Sequence, residues 1–175
     1  MRRTAVLLAT IVASSAWADG QGPTLQYGHF QHVQTVGVGW ALSDFWVSSH
    51  DTWELAAHPE VQVNRHRISA EVGPDSLTQA GASAILRARL AGGEWRPYAE
   101  IGMGGNLFSR VHLGDKDLST AFQFSEHLGV GLEWHRAGQA AGGWVGWRIS
   151  HYSNGGIGEH NDGLNTSTVV VGLNF

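Results

Sequence analysis

The chain has 175 residues, with 11 Lys+Arg against 15 Asp+Glu and a formal net charge of −4. That length suits one domain, and the charge balance offers no basic block for nucleic acid. Cysteine is absent, which excludes a disulfide framework and a thiol nucleophile, while 24 glycines and 8 tryptophans without helical patterning favour an all-β architecture.

Residues 1–18 read as a secretory signal. Arg2 and Arg3 supply the positive start, Ala5 to Ala13 is apolar, and Ala16-Trp17-Ala18 offers a small-x-small cleavage site before Asp19. The apolar run is shorter than the ~20 residues of a spanning helix. Residues 19–175 are then expected to form one domain. No later run is apolar enough for a membrane helix, but barrel strands alternate and escape such a test.

Strands are expected near 24–33 and 34–42. Beyond them, Trp53, Leu55, Ala57, Pro59, Val61 and Val63 share one face, with Glu54, His58, Glu60, Gln62 and Asn64 on the other. Ala80, Ala82, Ala84, Leu86, Ala88 and Leu90 alternate with Gln79, Ser83, Arg87 and Arg89. Trp95, Pro97, Ala99, Ile101, Met103 and Leu107 alternate with Arg96, Tyr98, Glu100 and Asn106. Pro59 and Pro97 lack a ladder donor and predict local irregularity. Candidates at 121–134, 143–153 and 166–175 bring the count to eight.

Strands of about 10 residues suit a tilted bilayer crossing. Eight is the smallest common membrane barrel, with a lumen filled by side chains. Arg87, Arg89, Arg96, Arg148, Glu54, Glu60 and Glu100 are expected to pair inside it. A soluble lipocalin-like barrel would reverse the two faces, and periodicity alone does not separate them. The chain ends with Val169, Val171, Leu173 and Phe175 on one face, and a terminal Phe on an alternating strand resembles the recognition signal of bacterial outer-membrane barrels. The expectation is an eight-stranded antiparallel outer-membrane β-barrel.

The segment Arg148–Gly156 carries the chemistry. Val145, Trp147, Ile149, His151 and Ser153 share the apolar face, and Trp144, Gly146, Arg148, Ser150 and Tyr152 take the other. Polar groups facing hydrocarbon are costly without a partner. At i and i+2, His151 and Ser153 are near neighbours, so the imidazole can take the hydroxyl proton as Ser153 attacks a carbonyl. Spacing alone leaves open that both are simply hydrated at headgroup level. With short periplasmic turns, long outer loops and a periplasmic C-terminus, the seventh strand runs outward and ends at the pair. The lipid facing it is then lipopolysaccharide of a Gram-negative outer leaflet.

His151-Tyr152-Ser153-Asn154 and the later Asn161-Asp162-Gly163 resemble motifs of the lipid A 3-O-deacylases (PagL family). Phe124-Ser125-Glu126-His127-Leu128-Gly129-Val130-Gly131-Leu132 is similar to the family's sixth strand. The resemblance covers the C-terminal third by motif and the earlier strands by pattern. It implies a serine esterase that removes the ester-linked 3-hydroxyacyl chain at the 3-position of lipid A, with Ser153 as nucleophile and His151 as base. The best-known member has a Glu at the position of Asn165, so this chain departs there. An amide can hold a histidine tautomer, as in Cys-His-Asn proteases, but brings no charge for the imidazolium. Asn165 has the parity of Val169 and comes first as orienter, with Glu126, Glu159 and Asp162 as alternative acids. Glu126 shares the parity of Phe122, Phe124 and Leu128 on the adjacent strand.

The resemblance also implies oxyanion and substrate-positioning groups. Asn154 and Asn161 offer amides, Gly155 and Gly156 backbone N–H groups, and Phe124 a flanking ring; Asn-Gly-Gly is equally ordinary turn chemistry. His29, His32, His58 (toward a polar lumen) and His66 (following a strand) have no ligand spacing, so neither metal nor cofactor is expected. Trp40, Trp53, Trp95, Trp134 and Trp147 read as an interfacial belt. The expected partners are lipopolysaccharide and the outer membrane, without nucleic acid, and a homodimer is left open. The rivals are an outer-membrane phospholipase-like esterase, which needs calcium and a larger barrel, and a non-catalytic structural or adhesion barrel.

Overall fold

Period-two alternation runs through every long strand of the computed structural model, which describes residues 22–69, 73–135 and 142–174. The expected signal at 1–18 and the terminal Phe175 lie outside the described residues. The strands are β1 (Gly22–Phe30), β2 (Val33–Ala41), β3 (Trp53–Ile68), β4 (Ser76–Leu90), β5 (Trp95–Phe108), β6 (Phe122–His135), β7 (Gly142–Ser153) and β8 (Leu164–Asn174). Each pairs antiparallel with the next, and β8 pairs with β1 to close an eight-stranded barrel. Closure leaves no open edge among these strands.

Three short strands were not anticipated. Trp46–Ser49 pairs with the start of β3, and His112–Leu113 pairs with Lys116–Asp117 in the β5–β6 loop. Pro59 does not interrupt β3, contrary to the expected irregularity. It lies where the neighbour changes from β2 to Trp46–Ser49, and its carbonyl accepts from Leu42 N at 2.8 Å. No ladder donor is required at that junction. Pro97 likewise sits in unbroken register opposite Leu132. The β1–β2 link is two residues, Gln31 and His32, at φ 45° and 69°. Paired positive φ values give a turn whose twist matches a hairpin, here without glycine.

The orientation of the two faces decides between membrane and soluble barrels. Met103 on the outer wall is 70% exposed, whereas Arg148 inside is 2% exposed. Val61, Val63, Ile101, Leu128, Val130, Val169 and Val171 also face outward. The apolar surface is therefore outside and the charged surface inside, the outer-membrane arrangement.

The lumen is filled in layers. Arg148 donates to Glu60 at 2.7 and 3.1 Å and to Glu100 at 2.8 Å, while Arg87 bridges Glu100 and Glu133. Arg89 reaches Glu54 and Asp44, and Arg96 reaches Glu133. All seven charged residues expected to pair do so, and Glu133 joins them. Beyond these, Gln79 links Asn64 and Asn106. An apolar plug of Val33, Leu77, Phe108, Leu113, Leu118, Tyr152 and Leu164 closes the end at which β7 finishes. His66 does not follow β3 but lies within it, buried and bonded to Thr35. His58 faces the lumen beside Asp44. Trp95 and Trp134 pair across β5 and β6 with ring centroids 6.0 Å apart, and Trp40 and Trp53 also lie at strand ends away from the His151 end. Trp147 is separate from that belt, mid-strand on the outer wall, donating to Ser167 at 2.7 Å.

Candidate active site

Strand parity brings His151 and Ser153 to the outer wall at the end of β7, where His151 is exposed and Ser153 half-buried. The ladder then supplies their neighbours. His151 stands opposite Asn165 on β8 and opposite Glu126 on β6, while Ser153 stands opposite Phe124. Directly opposed residues hold their Cβ atoms about 5 Å apart.

Asn165 Oδ1 lies 2.6 Å from His151 Nδ1. A carbonyl oxygen only accepts, so the ring donates from Nδ1 and keeps the Nε2 lone pair as a base. The Ser153 hydroxyl makes no hydrogen bond to the ring. Resting sites often tighten only with substrate bound. Gly163 packs on the ring edge: at φ +65°, a Cβ there would sit 3.0 Å from His151 Cε1.

The 154–163 loop is braced from within. Asn154 is fully buried, and its Nδ2 donates to His160 O at 2.7 Å and Leu118 O at 3.3 Å. Its Oδ1 accepts from Gly156 N at 2.8 Å. The Asn154 side chain is thus committed to holding the loop. Its backbone N–H donates to Asn161 Oδ1 at 3.2 Å, leaving the Asn161 Nδ2 protons available. Gly155, at φ +63°, packs against the Phe124 ring, which meets Phe122 edge-on at 5.0 Å.

The alternative acids separate. Asp162 Oδ2 accepts from Asp117 N at 2.7 Å, and Asp162 N donates to Asp117 O at 3.1 Å. Its carboxylate is turned toward the β5–β6 loop rather than the imidazole. Glu159 is exposed on the loop. Glu126 remains beside His151, with no hydrogen-bond partner among the described residues. Sequence reading missed Asp117, Leu118 and Ser119, which support the loop from about 40 residues away and carry no motif. Among the described residues, no group of three His, Cys, Asp or Glu is placed to hold a metal ion.

A sequence model of the family described as "Lipid A 3-O-deacylase (PagL)" matches residues 25–174, nearly all of the barrel. The chain belongs to the PagL family. It is 33% identical to "Lipid A deacylase PagL" of Bordetella bronchiseptica, over 96% of this chain and 93% of that protein. It is 29% identical to "Lipid A deacylase PagL" of Pseudomonas aeruginosa, over 91% and 88%. In fold it resembles the "Crystal structure of the outer membrane enzyme PagL", with a TM-score of 0.72 at 23% identity, covering 89% of this chain and 98% of that one. PagL membership makes this chain an ester-hydrolysing enzyme, and the PagL fold accounts for its all-strand architecture.

Proposed function

We propose that this chain removes the ester-linked 3-hydroxyacyl group from the 3-position of lipid A in the outer leaflet of a Gram-negative outer membrane. The observation that carries this reading is a hydrogen-bonded polar pair, His151 and Asn165, on a largely apolar outer wall. Ionisable groups in such a band are expensive and mark function. The pair adjoins the loops 109–121 and 154–163, which suits the extracellular end of a barrel whose termini are periplasmic.

In this reading the ester carbonyl sits at headgroup depth beside Ser153, with its acyl chain against Phe124 and the apolar wall. His151 Nε2 takes the Ser153 proton as Oγ bonds to the carbonyl carbon. The resulting oxyanion accepts hydrogen bonds from Asn161 Nδ2 and the Gly155 N–H, donors left unpaired by the loop. The carbon–oxygen bond to the sugar then breaks, and the imidazolium returns its proton to the sugar oxygen. Water, deprotonated by His151, attacks the acyl-enzyme and releases the 3-hydroxy fatty acid and Ser153. Asn154 contributes by holding the loop, since its amide is already occupied.

The test is mass spectrometry of lipid A after incubating hexa-acylated lipopolysaccharide with outer membranes containing the protein, with and without EDTA. Loss of one 3-hydroxyacyl group, unaffected by chelator and abolished by Ser153→Ala and by His151→Ala, is expected. Unchanged lipid A with a folded barrel points to a non-catalytic barrel. Loss that EDTA prevents points to a calcium-dependent phospholipase-like enzyme.

A further inference from the structure

His151 has an outward-facing neighbour on each side, and the two differ in charge. On β8, Asn165 makes the 2.6 Å bond that fixes the ring, but an amide is neutral. On β6, Glu126 stands directly across from His151 on the same outer face. The surroundings of Glu126 are apolar: Phe124 and Leu128 share its face on β6, and Met103 lies opposite on β5. Among the described residues no cation or donor is paired with it. A carboxylate on the lipid-facing wall is costly unless it answers a charge.

The other groups around the ring do not supply that charge. Gly163 has no side chain, Ser153 is neutral, and Asp162 is engaged by Asp117 N. Glu126 is the acid on a strand directly flanking β7 at the level of His151.

We infer that the duties of a single catalytic acid are divided in this chain: Asn165 sets the tautomer of His151, and Glu126 stabilises the imidazolium formed when Ser153 gives up its proton. Glu126 touches neither substrate nor reacting atoms; it is a positioning residue that acts through His151. The inference rests on the Ser153–His151 esterase reading. The proton transfer puts a full positive charge on the ring in a site shielded from water by lipid, where an opposite charge on the directly opposed residue acts strongly.

The experiment measures kcat and KM on purified lipopolysaccharide for the full-length protein and for Glu126→Gln, Glu126→Asp, Asn165→Glu and the double variant Glu126→Gln/Asn165→Glu. Folding is checked by the heat-modifiable migration of barrels on gels; neutralising an outward acid does not oppose insertion. Glu126→Gln is expected to lower kcat about tenfold with KM changed less than about twofold, because the charge is needed only in the transition state. Glu126→Asp should recover most of the loss. Asn165→Glu, which places a carboxylate on the other side of the ring, should make Glu126→Gln nearly silent. Wild-type kcat in Glu126→Gln, or the same loss with Glu at 165, overturns the inference. Ser153→Ala is run in parallel. If it stays active, the esterase reading fails; if it is dead while Glu126→Gln is unaffected, only the role of Glu126 fails.

Discussion

His151 and Asn165 are joined across the β7–β8 ladder, with Nδ1 and Oδ1 2.6 Å apart on the outside of the barrel. The bond links the first residue of the His-x-Ser motif to a position 14 residues later, beyond the whole of the loop. It places the ring proton on Nδ1 and leaves the Nε2 lone pair free to accept a proton. The chemistry proposed for this chain depends on that tautomer.

Removing the acceptor should therefore cost catalysis more than stability. Asn165→Leu is expected to reduce kcat on the order of 10²-fold, the range of general-base contributions. Asn165→Asp, which keeps an acceptor, should retain far more. Turnover of lipopolysaccharide in detergent micelles measures both; full activity in the Leu variant removes Asn165 from the machinery.

Gly163→Ala tests the close approach at the ring edge. The position has φ +65°, and the added methyl would meet His151 Cε1 at 3.0 Å. The left-handed backbone costs about 1 kcal/mol for a non-glycine residue, too little to unfold the barrel. The displaced ring should lower kcat, by as much as about 10²-fold if it moves about 1 Å. Unchanged kcat would show that the ring tolerates the shift.

Loop bracing makes a separate prediction. Asn154→Ala leaves Leu118 O, His160 O and Gly156 N without their partner, at about 1–3 kcal/mol for Leu118 O, which is on a buried residue. Limited proteolysis should then cut within 154–163 while the barrel still resists heat and detergent. Asp162→Ala, which frees Asp117 N, should show the same pattern more mildly. Protection equal to wild type in both would mean that the β5–β6 loop does not support this one.

The lumen is predicted to govern stability and not chemistry. Glu60→Ala strips Arg148 of two hydrogen bonds inside the barrel, and breaking a buried pair from one side costs about 3–5 kcal/mol. The joint change Glu60→Leu with Arg148→Met should cost less, because the two charges leave together and Glu100, though it loses Arg148, keeps Arg87. Denaturant unfolding in lipid vesicles reads both. Activity per folded molecule should stay at the wild-type level in each.

Sequence alone determined the faces. Side-chain direction in a strand depends only on residue parity, so alternation was enough to gather Val61, Ile101 and Val171 on apolar faces, Arg87, Arg148 and Glu60 on polar ones, and His151 with Ser153 on an apolar one; that the apolar face points outward is seen in the closed barrel. It also reached Asn165 by parity from Val169. Tertiary structure decided what stands beside what. Register across a ladder depends on loop length and strand stagger, which parity does not contain, and only the closed barrel aligns His151 with Asn165 on one side and Glu126 on the other. The same holds for Pro59 at a change of neighbours, His66 inside β3, Asn154 committed to Leu118, and Asp162 turned toward Asp117 from 45 residues away. A local period fixes orientation; contacts between distant residues are fixed by closure, and closure is a property of the whole chain.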